Sequence, residues 1–260
     1  MMNLTFGFGP LEAEFWRWLF VMTRIAAALF AAPFFGASGV PMQVRVIVTG
    51  AVAVLVCGWT NVVAPPALLS VPGLLAIAGE VLIGVSLGFV LQVAFAAPMV
   101  AAEIVGAGMG MSIATAADPN TGAHSPALGQ YYTVVLTLVF LALGGHLLFL
   151  DLVVKSYGTF PPGHTWLGPE RIGIIVNYGS QMLLTAIAIA LPVTLVLLLV
   201  QLAAGMLSRT APALNLFSLG LPAGVLAGIA ALIVSAPLLP DVMSALTADA
   251  LKQAEAVIAQ

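Results

Sequence analysis

Four stretches of this chain run for more than thirty residues without a lysine, arginine, aspartate or glutamate. They separate Arg45 from Glu80 (34 residues), Asp118 from Asp151 (32), Arg171 from Arg209 (37) and Arg209 from Asp241 (31). A helix needs ~20 apolar residues to cross about 30 Å of hydrocarbon, so each run is long enough. None shows the period-2 alternation that membrane strands require, and the chain therefore reads as all-α. The runs are no accident of spacing, because only 7 % of the 260 residues are charged and 62 % are hydrophobic. Soluble domains carry roughly 25 % charged residues, and a solvated surface needs about 25–35 %. The composition points to an integral membrane protein or a subunit buried in a larger assembly. It argues against disorder, a disulfide scaffold and nucleic-acid binding. A net charge of −3 implies no charged partner. The single cysteine, Cys57, cannot form an internal disulfide and reads as a small buried hydrophobe. Glu12 and Glu14 precede Arg17, so the N-terminus does not read as a signal peptide and is taken as mature chain.

The runs predict about six long apolar helices, near 14–32, 44–64, 73–97, 130–154, 176–204 and 213–236. The breaks carry turn residues: Pro33, Gly36, Gly39 and Pro41, then Pro65, Pro66, Pro72 and Gly73, then Pro161, Pro162 and Gly163, and later Pro212. Pro192 and Pro222 lie inside the fifth and sixth helices and predict kinks. The tail 241–260 can place Val242, Leu246, Ala250, Leu251 and Ile258 on one face. With Asp249, Lys252 and Glu255 opposite, it predicts a surface helix.

The segment from Pro98 to Gly129 stands apart. Gly106, Gly108, Gly110, Gly122 and Gly129 fall within it, with Met109 and Met111 beside glycines. Each glycine costs a helix about 1 kcal/mol relative to alanine. One reading is a re-entrant loop in a cavity, with methionines as adaptable sealing groups. The other is a tightly packed helix turn where glycine admits a close backbone. A nucleotide site is excluded: Met111 stands where G-x-G-x-x-G needs glycine, no strand precedes it and no G-K-[ST] follows. Asp118-Pro119-Asn120-Thr121-Gly122 is a turn signature before it is a catalytic aspartate.

Glu80, Glu103, Asp151 and His146 interrupt apolar segments. Each should face a partner, a wet cavity or a bundle interior; a proton relay and separate satisfied groups are both open. His124, His146 and His164 lack metal-site spacing, so no metal is expected. Gly179-Ser180-Gln181 is no nucleophile elbow, and the chain carries no enzyme signal and implies no cofactor. Gly84 with Gly88, and Gly220 with Gly224 and Gly228, form G-x-x-x-G patterns that allow close helix packing.

Two blocks name a family. One runs from Met109 to Tyr132 through Asp118-Pro119 and Gln130, and continues as Phe140-Leu-Ala-Leu-Gly-Gly-His146. The other is Leu207-Ser-Arg209-Thr-Ala-Pro212-Ala-Leu-Asn215-Leu-Phe217 through to Pro222, followed by Gly224 and Gly228. Together with Arg24, Pro33, Gly36, Pro41, Arg45 and the Glu80/Gly84 pair, they resemble the FliR family of type III secretion export-gate proteins over nearly the whole chain. A related injectisome branch tends to carry lysine after the proline matching Pro222. Ala223 stands there, in the flagellar style.

The resemblance implies a subunit that joins FliP and FliQ, with FlhB nearby, in a helical assembly at the flagellar basal body in the bacterial inner membrane. It would form the entrance of a channel for unfolded proteins. It implies a FliP-like part at 1–175 and a FliQ-like hairpin with a C-terminal helix at 176–260. Gly106, Gly108, Met109, Gly110, Met111, Asp118, Pro119 and Gly122 match the family's pore plug. Gly84, Gly88, Gly220, Gly224 and Gly228 would serve subunit packing, and bulky replacements at Gly224 or Gly228 should then block assembly. Hydrophobic constrictions can gate by dewetting, with energy supplied elsewhere. A small-solute transporter is the rival, but it predicts matched broken helices in inverted repeats, which the two unequal halves lack.

Overall fold

The computed structural model describes residues 10–36, 39–60, 62, 68, 70–111, 126–163, 168–210 and 216–259. These fold into α1 (Pro10–Ala31), α2 (Met42–Trp59), α3 (Val71–Gly108), α4 (Pro126–Ala142), α5 (Gly145–Thr159), α6 (Pro169–Thr210), α7 (Leu216–Ser235), a 3-10 turn (Ala236–Leu238) and α8 (Leu239–Ala259). No strand occurs among the described residues, in line with the all-α expectation.

The chain forms two compact units. The first takes 1–94, 144–179 and 248–260. Its centre is α1, which buries Phe20, Val21, Arg24, Ile25, Ala28 and Leu29, a stripe of helical period. The α1 and α3 backbones approach closely because Gly84 and Gly88 carry no side chain. A Cβ on Gly84 would lie 2.8 Å from the Ala27 Cβ and 2.9 Å from the Ala28 nitrogen. One on Gly88 would lie 2.6 Å from the Ala31 Cβ. Helix α2 buries only Thr49, Ala53 and Val56. It is tied to α1 by the Trp18 indole, which donates to the Gly50 carbonyl at 3.1 Å. The Arg17 guanidinium also donates to the Cys57 carbonyl at 2.8 Å and to that of Thr60, supplying donors that the end of α2 lacks.

The second unit takes 95–143 and 180–247. There α4 buries Tyr132, Leu136 and Phe140 at four-residue spacing, and Phe140 meets Phe95 edge-on with ring centres 5.7 Å apart. Helix α6 buries Ala186, Ile189, Ala190, Val193 and Leu197.

Several expected boundaries move. Helix α3 does not stop at 97; it runs through Pro98 to Gly108. Ala94, Ala97, Ala101 and Ala102 are buried around the proline, and packing of that stretch outweighs the lost hydrogen bond. The helix expected at 130–154 is two helices, broken at Leu143-Gly144 where Gly144 has φ +70°. Where about six long apolar helices were expected, four among the described residues are long and apolar enough to cross a membrane: Met42–Trp59, Val71–Gly108, Pro169–Arg209 and Gly220–Ala259. A fifth is added if α4 and α5 count as one broken span. Helix α1 fails on charge, since it carries Glu12, Glu14, Arg17 and Arg24. The tail helix is less superficial than expected: Met243, Leu246, Thr247, Ala250, Ala254 and Val257 are buried, whereas Val242 is exposed.

Candidate functional site

The Gly/Met segment begins inside α3. Gly106 is buried within the helix, and the last turn closes with the Met109 amide on the Val105 carbonyl at 2.9 Å. The Gly110 amide then binds the Ala107 carbonyl at 3.0 Å. Gly110 has φ +79°, a left-handed conformation that glycine adopts without steric cost and that ends a helix. The Gly108 carbonyl, left without an intrahelical donor, accepts from the Gln201 side-chain amide of α6 at 2.8 Å.

Three successive residues each meet a different neighbour. A Cβ on Gly108 would lie 3.1 Å from Leu197 of α6, and one on Gly110 would lie 2.5 Å from the Leu221 side chain of α7. Between them Met109 is 5 % exposed. Its side chain fills a notch on α7: the space of a Gly228 Cβ is taken by Met109 Cγ at 2.5 Å and by Cε and Sδ at 2.8 Å. A Cβ on Gly224 would sit 3.5 Å from the Met109 carbonyl oxygen. The arrangement holds no nucleophile and base together; what it does is mechanical, one flexible side chain seated in a hole made of absent ones.

A polar centre lies in the other unit. Arg24 Nε and Nη2 donate to the two Glu80 carboxylate oxygens at 2.8 and 3.0 Å, a bidentate fork with both side chains at most 1 % exposed. The same guanidinium donates to the Ser156 hydroxyl at 3.1 Å and the Phe160 carbonyl at 2.9 Å, and lies 4.1 Å from the Tyr157 ring centre. The Gly163 amide donates to Glu80 at 3.2 Å, and the Tyr157 hydroxyl to the Val21 carbonyl at 2.7 Å. Glu80, a costly charge in the sequence, is thus neutralised and saturated with donors.

With this geometry in view, comparison with known proteins places the chain. The family model for "Bacterial export proteins, family 1" matches residues 15–250. The chain belongs to this family. Among curated relatives, the flagellar biosynthetic protein FliR of Escherichia coli is 33 % identical over 235 residues, covering 88 % of this chain and 86 % of its own. FliR of Pectobacterium carotovorum is 32 % identical over 223 residues (86 % and 84 %), and FliR of Bacillus subtilis is 33 % identical over 220 residues (83 % and 84 %). The resemblance to the FliR family thus holds, and it makes the chain a component of the flagellar export apparatus. The relatives are named as export and biosynthetic proteins, not as enzymes.

Of the family motif residues, Arg24 and Glu80 meet in the buried fork. His146 is half-buried with its ring 6.5 Å from that of Phe34, and its Nδ1 has no hydrogen-bond partner among the described residues. Pro33 is half-buried, whereas Gln130, Arg209 and Pro222 are exposed. Met111 and Gly220 are half-buried. Gly84 and Gly88 pack on α1, and Gly224 and Gly228 on Met109. Asp118, Pro119, Gly122, Pro212 and Asn215 lie outside the described residues, as does the side chain of Phe217. Glu103 is exposed, and Asp151 pairs with Lys155 at 2.6 Å on an exposed face. Sequence reasoning missed Gln201. Its signal was an amide set in the apolar run Leu195–Leu202 of α6, where a polar group needs a reason to be.

Proposed function

We propose that this FliR-family chain is a core subunit of the flagellar export gate, assembled with FliP- and FliQ-type subunits and adjoining an FlhB-type protein. It would lie in the bacterial inner membrane at the basal body, and unfolded flagellar proteins would pass through the channel it helps to form. The residues 106–122 act as the pore plug. In this reading 1–175 is the FliP-like part and 176–260 the FliQ-like hairpin with its C-terminal helix.

The observation that carries the reading is the seating of Met109. The plug's first residues end a helix in Gly-Met-Gly, and the methionine between the glycines is buried in a hole that fits it. A thioether on three rotatable bonds can seal such a hole and leave it again. The exposed leucines of α6, Leu184, Leu191, Leu195 and Leu199 among them, need cover that lipid or sister subunits supply.

The test is deletion of 106–122 in membranes that also hold the FliP- and FliQ-type subunits. The expected result is a complex that still co-purifies and membranes that leak ions. Unchanged conductance would sink the plug assignment, and failure of the intact chain to co-purify with the two subunits would sink the assembly.

A further inference from the structure

We propose that Met109 is a latch: by occupying the Gly224/Gly228 notch of α7 it holds the end of α3 shut, and export requires it to leave the notch. The inference rests on the reading that the segment beginning at Gly106 closes the pore.

The contacts at the end of α3 are concentrated and cheap to reverse. Gly108 is tethered by one hydrogen bond from Gln201, which water can replace. Met109 makes the apolar seat, and its Sδ and Cε end in the space beside Gly228. Gly110, with φ +79°, turns the chain away and rests against Leu221. The hole exists because two glycines on α7 carry no side chain, so emptying it requires no rearrangement of α7. A branched side chain in the same place would be locked by its rotamers, whereas methionine can swing out by rotation about its own bonds. The close packing of Gly224 and Gly228 is thereby spent on a contact that can open within the chain.

Size exchange tests the seat. In the full complex Gly228→Ala should unseat Met109 and raise ion leakage several-fold with co-purification unchanged. Met109→Ala together with Gly228→Ala should bring leakage back toward wild type, because the new methyl takes the vacated space. Loss of co-purification in Gly228→Ala that Met109→Ala does not repair would overturn the latch and assign the notch to subunit contact. A cross-link tests the opening. With Cys57→Ala as background, Met109→Cys plus Gly228→Cys should oxidise with copper phenanthroline to an intrachain disulfide, since the side chains overlap. Export should then stop and resume on reduction. Thiols that stay labellable under oxidation, or export that continues through the cross-link, would overturn the proposal. The 106–122 deletion in the same membranes separates the two ideas. Leakage there without leakage in Gly228→Ala removes the latch alone; leakage in neither removes the plug as well.

Discussion

Arg24 and Glu80 are the charged side chains buried among the described residues, and their energetics depend on keeping both. Desolvating a carboxylate and a guanidinium costs several kcal/mol each, which their fork and the Ser156, Phe160 and Gly163 hydrogen bonds offset. Arg24→Met or Glu80→Leu alone strands a buried charge and is expected to cost about 3–5 kcal/mol. The double replacement should cost much less than the two singles added together. Thermal unfolding of the detergent-extracted complex reads the difference; additive losses would mean that the pair is not coupled. Gly84 gives a second, smaller prediction. Its missing Cβ faces the α1 backbone at Ala28, so Gly84→Ala must push two helices apart, at about 1–3 kcal/mol.

Helix boundaries divide the glycines and prolines by what surrounds them. Gly144 has φ +70° and nothing within 4 Å of an added Cβ, so Gly144→Ala should lose about 1–2 kcal/mol from backbone strain alone. Gly173, within α6, has equally open space and an ordinary φ. Gly173→Ala is therefore expected to stabilise by about 0.4–1 kcal/mol. Thermal midpoints of the two variants should move in opposite directions. Both glycines look alike in the sequence, and this marks the limit of what can be read there. Long uncharged runs made the helices legible, and the family blocks pointed to the end of α3. Proline punctuation misled at Pro98, where buried alanines let the helix continue, and the break after Leu143 carried no proline. On α8, Leu246, Ala250 and Ile258 are buried as the sequence suggests, but Val242, placed inward, is exposed and Met243 beside it is buried; alanines on both sides make that end of the stripe ambiguous. Gln201 showed as a lone amide in an apolar run, but its partner, the Gly108 carbonyl, depends on where α3 ends.

At the scale of the molecule, the 7 % of charged residues now has a structural counterpart. Among the described residues four helices, or five spans with the broken pair, are long and apolar enough for lipid, while α1 uses Arg17 on the end of α2 and Arg24 in the buried fork. Large side chains such as Leu184, Leu199, Leu226 and Val234 are more than half exposed. The chain expressed alone should aggregate or require detergent, whereas under the proposed function it should migrate with the FliP- and FliQ-type subunits when membranes that hold all three are extracted in mild detergent. Migration as a lone monodisperse monomer out of membranes that hold all three would overturn the proposed assembly.

The first compact unit has a consequence for synthesis. It draws on residues 1–94 and again on 144–179 and 248–260, so a chain emerging from the ribosome can complete the unit that α1 begins only when α8 arrives. Until then Ala250, Ala254 and Val257 are missing from a core that is otherwise already made. Truncated products would carry an unfinished first unit, and a stop codon at 248 should leave that unit more open to protease in otherwise intact membranes. The place of 248–260 thus ties the completion of a unit begun by α1 to a helix made much later in translation.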